Sequence, residues 1–186
     1  MAEEGGIGDT IRQSLIGIIR GVGDVTDAVV DTVSGSLINV VQQTGAVGGA
    51  LTSAISETVR GAIQGVAEVG GDIGSTAKGA VIGVLRGTKQ VGAEATDTIS
   101  STAGAVITST ADVGGDLASA AKGAVEGAIE GAKDIGVSAE EAAAAAATGA
   151  LKAAGEVGGD AAGRVRDALT GTISGVKVVL QEPFKE

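Results

Sequence analysis

A 22-residue unit repeats eight times along this chain and constrains its fold more than any other feature. Twenty-two residues are two 11-residue units, or six helical turns at about 3.67 residues per turn, which is close to the α-helical period. Side chains that recur with this period stay on one side of a helix. The chain is therefore predicted to be all-α. Most copies open with valine or isoleucine: Val25, Val47, Val69, Val91, Val113, Ile135 and Val157.

The repeats occupy almost the whole chain. Within a copy, apolar residues follow one another at steps of four and three residues, which indicates a helix face and not the alternation of a strand. The copies are 3–24, 25–46, 47–68, 69–90, 91–112, 113–134, 135–156 and 157–178, and residues 179–186 form a divergent tail. The apolar stripe is clearest in the third and fourth copies, as Val47, Leu51, Ile55, Val59, Ile63, Val69, Ile73, Val81 and Leu85.

A second stripe beside the first consists of glycine at four-residue spacing. Each glycine costs a helix about 0.5–1 kcal/mol relative to alanine, so the 33 glycines require association to stabilise the helices. Small residues let two backbones approach closely. We expect these positions to form a helix-helix seam in a parallel homo-oligomer of three or four chains, with the apolar stripe facing a shared axis. The seam residues are Gly17, Gly21, Gly61, Gly65, Gly83, Gly87, Gly127, Gly131, Gly171 and Gly175.

Two arrangements of the helices fit the repeat. A continuous rod uses a repeat of whole helical turns, and no proline interrupts the chain before Pro183. However, a Val-Gly-Gly-Asp sequence recurs every 44 residues, at 69–72, 113–116 and 157–160. Glycine suits the residue after a helix and aspartate suits a helix N-cap. The alternative is therefore a bundle or solenoid of helices of about 20 residues.

The composition excludes several classes of function. The chain has no cysteine or histidine, which removes disulfides, thiolate and imidazole chemistry, and the usual zinc or haem ligands. A net charge of -10 without a basic cluster argues against nucleic-acid binding. We predict no enzyme activity and no catalytic, cofactor-binding or metal-binding residue. The start resembles no signal peptide and no long apolar run suggests a membrane span, so the expected location is the cytoplasm, peripheral to a membrane.

The two ends of the chain differ. The N-terminal copies are richer in valine, isoleucine and leucine and carry Arg12 and Arg20, which favours contact with a membrane surface. At the other end, β-branched residues from Val176 onward suit an extended strand. We predict that the tail docks on another protein through Val178, Leu180, Pro183 and Phe184.

The glycine-zippered apolar rod, its apolar N-terminal half and its divergent tail resemble the helical stalk subunit of high-affinity, membrane-associated uptake hydrogenases of actinobacteria. The resemblance implies a non-catalytic scaffold, a tetrameric tube that carries quinone between the membrane and the catalytic subunits. Lipid or quinone in an apolar lumen is then the candidate ligand. The 11-residue period is also similar to that of lipid-droplet coat proteins and late-embryogenesis-abundant proteins. A lipid-surface coat or a desiccation-protective protein is therefore the alternative function.

Overall fold

The computed structural model describes residues 6–20, 24–45, 48–89 and 94–180. It confirms an all-α fold, with one helix in each copy of the repeat and a small β-hairpin after the last helix. The elements are α1 (Ile7–Ile19), α2 (Val25–Thr44), α3 (Gly49–Glu68), α4 (Ile73–Thr88), α5 (Ala95–Asp112), α6 (Leu117–Ile135), α7 (Ala139–Val157), α8 (Gly159–Leu169), β1 (Thr172–Ile173) and β2 (Val176–Lys177).

The helices form two layers. In the odd layer, α1, α3, α5 and α7 pack side by side in that order, and in the even layer α2, α4, α6 and α8 do the same. Consecutive helices pack across the layers as antiparallel hairpins. Within a layer the helices run parallel, because Gly79 and Gly83 of α4 lie opposite Thr26 and Val30 of α2 in the same order. The chain is therefore a stack of four helical hairpins, which is the solenoid arrangement.

The turn between α3 and α4 ends one helix and starts the next. Gly70 adopts a left-handed φ of 69°, and the N–H of Gly71 donates to the carbonyl of Val66 at 2.9 Å. These are the features of a glycine C-cap of the Schellman type. The carboxylate of Asp72 then accepts a hydrogen bond from the N–H of Ser75 at 2.6 Å, which caps the N-terminus of α4. At this turn, Gly-Gly-Asp thus both ends one helix and starts the next, whereas at 158–160 the helix α8 begins at Gly159 and Asp160 makes no capping bond.

The same turn joins α5 to α6. Gly114 has a φ of 67°, the N–H of Gly115 donates to the carbonyl of Thr110 at 2.9 Å, and Asp116 accepts from the N–H of Ala118 at 3.0 Å. These turns correct the expectation of one continuous helix. The period of 22 residues persists because every helix and its following turn have nearly equal combined length, although the chain reverses direction at each turn.

The core consists mainly of small and branched aliphatic side chains. Leucine, isoleucine and valine dominate the first four helices, whereas α7 contributes a nearly continuous set of fully buried alanines. Those alanines include Ala142, Ala143, Ala146, Ala147, Ala150 and Ala154. Short side chains at these positions allow close packing of α7 against its neighbours.

The C-terminal end of the stack is covered by the β-hairpin. Thr172 pairs with Lys177 and Ile173 with Val176. Ser174 and Gly175 both have positive φ, 49° and 81°, which is the requirement of a tight two-residue hairpin turn. The hairpin contacts α6 and α7 and adds Ile173 to the core. The eighth copy, 157–178, is therefore helical only as far as Leu169.

Candidate interaction surface

Glycines of α4 face the backbone of α2. A methyl group built on Gly79 would lie 2.7 Å from the carbonyl oxygen of Thr26, and one on Gly83 would lie 2.9 Å from that of Val30. Gly87, one further turn along α4, is opposite Ser34 in the same way, at 3.2 Å. A side chain at any of the three positions would push the two helices apart, so glycine sets the separation of α2 and α4.

The contact between α6 and α4 repeats this arrangement one hairpin later. A methyl group on Gly123 would collide with the carbonyl of Gly74, and one on Gly127 would lie 2.5 Å from the carbonyl oxygen of Lys78. At Gly131 the obstacle is the side chain of Leu85, at 2.7 Å. The even layer is therefore held together by three-glycine tracks at two successive junctions.

Glycine contacts also occur at two junctions of the odd layer. Gly61 of α3 lies against Gly8 of α1, and a methyl on Gly65 would lie 2.9 Å from the carbonyl oxygen of Arg12. Further along the layer, Gly149 of α7 lies against the backbone of Ser100 of α5. These contacts also join helices of one chain.

Six of the ten seam glycines predicted from the sequence therefore lie at helix contacts within the chain. They are Gly61, Gly65, Gly83, Gly87, Gly127 and Gly131. Gly17 faces open space, Gly171 and Gly175 lie at the β-hairpin with positive φ, and Gly21 lies outside the described residues. Four contact glycines were not predicted: Gly8, Gly79, Gly123 and Gly149. Gly79 and Gly123 continue the four-residue spacing one step toward the N-terminus, which is a signal the sequence contains.

The apolar stripe forms the interior of this same chain. Leu51, Ile55, Val59, Ile63, Val81 and Leu85 are buried. Val69 and Ile73 are half-buried, and Val47 lies outside the described residues. The structure thus gives the stripe an intramolecular partner on each side, the opposite layer and the neighbouring hairpin, where the sequence suggested an axis shared between chains.

The junction between α3 and α5 departs from the glycine pattern. Where α6 has Gly123, Gly127 and Gly131, the equivalent repeat positions of α5 hold Ser101, Ala105 and Ser109. A groove opens between these helices in two connected parts of about 250 and 200 Å³, which share Thr52 and Ser101. The other lining residues are Gly48, Leu51, Ile55, Ser56, Arg60, Glu94, Asp97, Thr98, Ala105, Thr108 and Ser109.

The groove has a partly apolar floor, a hydroxyl-rich middle and charged ends. Leu51 and Ile55 are buried at its base. Glu94 and Asp97 lie at the end where α5 begins, whereas Arg60 lies further along α3. All three charged side chains are exposed, and they form no ion pair with any residue of the described ranges. The groove is therefore accessible and electrically polarised along its length.

Ion pairs reinforce the α4–α6 junction. Lys78 Nζ lies 2.8 Å from Glu130 Oε2, and Arg86 Nε lies 3.2 Å from Asp134 Oδ2. The hydrogen bond to Glu130 raises the pKa of Lys78, against the opposing effect of desolvation. In the odd layer, Arg12 pairs with Glu68 at 2.5 Å across α1 and α3, so this arginine of the predicted membrane-contacting end is engaged within the chain.

The two cap aspartates have lowered pKa values for a structural reason. Hydrogen bonds from the side chain and the N–H of Ser75 lower the pKa of Asp72. The hydroxyl of Ser119 donates to Asp116 at 2.7 Å and is the main cause of the lowered pKa of that carboxyl. Shifted pKa values can mark a reactive site, but here each belongs to a helix cap. Among the described residues, no group of three or more acidic side chains is placed to hold a metal ion.

The predicted docking residues of the tail are only partly described. Val178 is buried with the β-hairpin, and Leu180 is half-buried against the core. Pro183 and Phe184 lie outside the described residues. Val178 and Leu180 therefore pack on the chain itself, whereas Val179 between them is exposed. Within the same ranges, no helix has the length and apolar character needed to cross a membrane.

Comparison with known proteins supports the fold alone. No family model and no curated protein matches the chain. The chain is similar to the crystal structure of the de novo designed helical repeat protein DHR7, with a TM-score of 0.51 and 21% identity over 87% of this chain and 89% of that one. Both chains are helical repeats.

Proposed function

We propose that this chain is a non-catalytic scaffold, which holds another protein on the outer face of its odd layer. The observation that carries the proposal is the contrast between the junctions of the stack. Three-glycine tracks join α2 to α4 and α4 to α6, and ion pairs cross the second of these junctions, whereas no described glycine brings α3 against α5, which line a two-part groove.

The architecture suits such a role. Repeat stacks present long exposed surfaces, because each hairpin contacts only its neighbours, and partners bind along those surfaces. The three described groups with shifted pKa values, Asp72, Lys78 and Asp116, are used in helix capping and ion pairing. The exposed face of α5, by contrast, carries short hydroxyl side chains such as Ser101 and Thr108, which lose little conformational entropy on binding.

More specific roles stay predictions. A quinone-carrying tube of three or four chains between a membrane and hydrogenase subunits requires an apolar lumen, and the stripe expected to line it is buried inside one chain. Such a tube would form if the hairpins opened and made the same glycine contacts between chains. A lipid coat or a desiccation-protective protein would likewise require the buried stripe to become exposed.

Native mass spectrometry of the tagged full chain, purified from its own cells, tests the scaffold proposal. We expect a stoichiometric complex with at least one other protein. Recovery of the chain alone would contradict the proposal, and a complex of three or four copies of this chain would favour the tube. Binding of the same preparation to added phospholipid vesicles distinguishes a lipid coat from a scaffold. A lipid coat would bind the vesicles without protein partners.

A further inference from the structure

The junction between α3 and α5 differs from the other junctions of its layer because no glycine of the described residues brings the two helices together. A single pocket of about 230 Å³ also opens at the α5–α7 junction, but the α3–α5 groove has two connected parts. On one side of it α3 contacts α1 through Gly61 and Gly65, and on the other side α7 contacts α5 through Gly149. The groove extends along α3 from Gly48 to Arg60. At about 1.5 Å per residue this is roughly 18 Å, or three helical turns. It is therefore long enough to contact several turns of another helix.

The walls of the groove favour a helical partner over an extended one. Both walls are helices whose backbone N–H and C=O groups are bonded within the helix, so they offer no edge to which a strand could pair. A helix satisfies its own backbone groups and needs none from the walls. The groove volumes of about 250 and 200 Å³ are too small for a whole helix but accept a ridge of side chains, as in ridges-into-grooves packing.

The charged residues of the groove favour one direction for a bound partner helix. α3 and α5 run parallel, with Glu94 and Asp97 beside the first turn of α5 and Arg60 about two turns further along α3. A partner would place basic side chains at the acidic end and acidic side chains near Arg60. Helices favour acidic residues in the first turn and basic residues in the last turn. A helix of that ordinary charge pattern therefore fits when it runs antiparallel to α3 and α5.

We propose that the α3–α5 groove is the docking site for an amphipathic helix of a partner protein, which binds antiparallel to α3 and α5. Its first turn carries acidic residues that face Arg60, and its last turn carries basic residues that face Asp97 and Glu94. Small and medium apolar side chains at i, i+4 and i+7 enter the groove above Leu51 and Ile55. This inference rests on the proposed scaffold function and names the site at which that function operates.

A pair of synthetic peptides tests the site and its polarity. One 18-residue helical peptide carries Glu in its first turn, a Leu/Ala ridge at i, i+4 and i+7, and Lys in its last turn. The other has the same composition with the two charged ends exchanged. We expect the first peptide to bind the full chain about tenfold more tightly, because like charges meet in the second complex. Amide chemical-shift changes should map to α3 and α5.

A charge exchange in the protein provides the matched control. The double variant R60E/D97K should reverse the preference between the peptides, and Lys122→Glu on the exposed face of α6 should leave it unchanged. Circular dichroism confirms that each variant is folded. Equal binding of the two peptides, binding of neither, or shifts confined to the even layer would overturn the docking site.

The same variant separates this inference from the scaffold proposal. If R60E/D97K still purifies with its partner from cells, the scaffold function stands and the groove is not the site. If the unaltered chain purifies alone, the scaffold function itself fails.

Discussion

The α4–α6 and α3–α5 junctions join the same two hairpins, one in each layer, yet only the first has glycines at the helix contact. In α6, Gly123, Gly127 and Gly131 bring its backbone against α4. In α5, the same repeat positions carry Ser101, Ala105 and Ser109, which line a groove. Three small side chains therefore distinguish a junction with close backbone contacts from one without them, although a pocket of about 370 Å³ also opens at the α4–α6 junction.

The N-termini of the helices also differ between the two layers. α4 and α6 begin at Asp72 and Asp116, whose carboxylates cap the backbone. α3 and α5 begin at Gly48 and Glu94, which make no side-chain capping bond. In this part of the stack the even layer thus has both the glycine contacts and the caps.

The largest effect is expected from a leucine at the middle position of each junction. Gly127→Leu places side-chain atoms where Lys78 and Val81 already lie and should lower the free energy of unfolding by about 1–3 kcal/mol. Ala105→Leu, at the equivalent position of α5, enters the groove and should change stability by less than about 0.5 kcal/mol. Urea unfolding followed by circular dichroism measures both. Similar losses for the two variants would refute a difference in packing.

An internal control uses Gly35 of α2, where an added Cβ would meet no other atom within 4 Å. Gly35→Ala should stabilise the chain by about 0.5–1 kcal/mol, because only helix propensity changes.

The groove should close when α5 receives the glycine pattern of α6. In the triple variant S101G/A105G/S109G, we expect α3 and α5 to approach to the short end of the usual 8–10 Å helix separation, and the groove to disappear. Three glycines lower helix propensity, by about 0.5–1 kcal/mol each, and the new contact offsets part of that loss. A crystal structure measures the separation. A groove of unchanged width would show that other residues hold it open.

Removing the N-terminal cap residue should lower the stability more in the even layer than in the odd layer. Asp116→Ala should cost about 1 kcal/mol, and Glu94→Ala only a few tenths. The pKa of Asp116 is lowered in the folded chain, so its ionised form adds stability above the unfolded value near about 4, and this contribution is lost as the pH falls through the folded pKa. In urea titrations, the difference in the free energy of unfolding between the Asp116→Asn variant and the unaltered chain should be smaller at pH 3 than at pH 7. A constant difference would contradict the assignment.

The smallest effect is expected for the exposed ion pair across α4 and α6. Lys78→Met should lower stability by about 0.2–1 kcal/mol at low ionic strength, and the difference should shrink in about 1 M salt as charges are screened. Arg60→Met, beside the groove, should change stability less, since Arg60 makes no ion pair in the described chain. Thermal unfolding at two salt concentrations compares them, and an equal salt response would remove this distinction between the junctions.

Much of the fold could be predicted from the repeat. The spacing of Leu51, Ile55 and Val59 indicates a buried helix face, and the spacing of Gly83 and Gly87 indicates a close helix contact. The pattern does not reveal which chain supplies the second helix, because glycine against a carbonyl is the same contact within one chain or between two. The stop and start residues Gly70, Gly71 and Asp72 were also present, but a 22-residue period agrees equally with unbroken helical turns.

The groove was harder to predict because it depends on exceptions. Ser101, Ala105 and Ser109 are as small as typical seam residues, and only the structure shows that they line a groove. The charged ends needed the structure as well. Arg60 and Asp97 are 37 positions apart in the sequence, and they share a groove only because their helices are neighbours in one layer.

The reversal of direction between successive helices makes the length of this chain subject to a parity rule. An insertion of 44 residues adds one hairpin and returns every later helix to its original layer and direction. An insertion of 22 residues is a perfect copy of the unit, but it moves each later helix to the opposite layer. Placed before α5, it would put the groove residues of α5 in the even layer. Growth or loss of such a chain is therefore tolerated in pairs of units and disruptive in single ones.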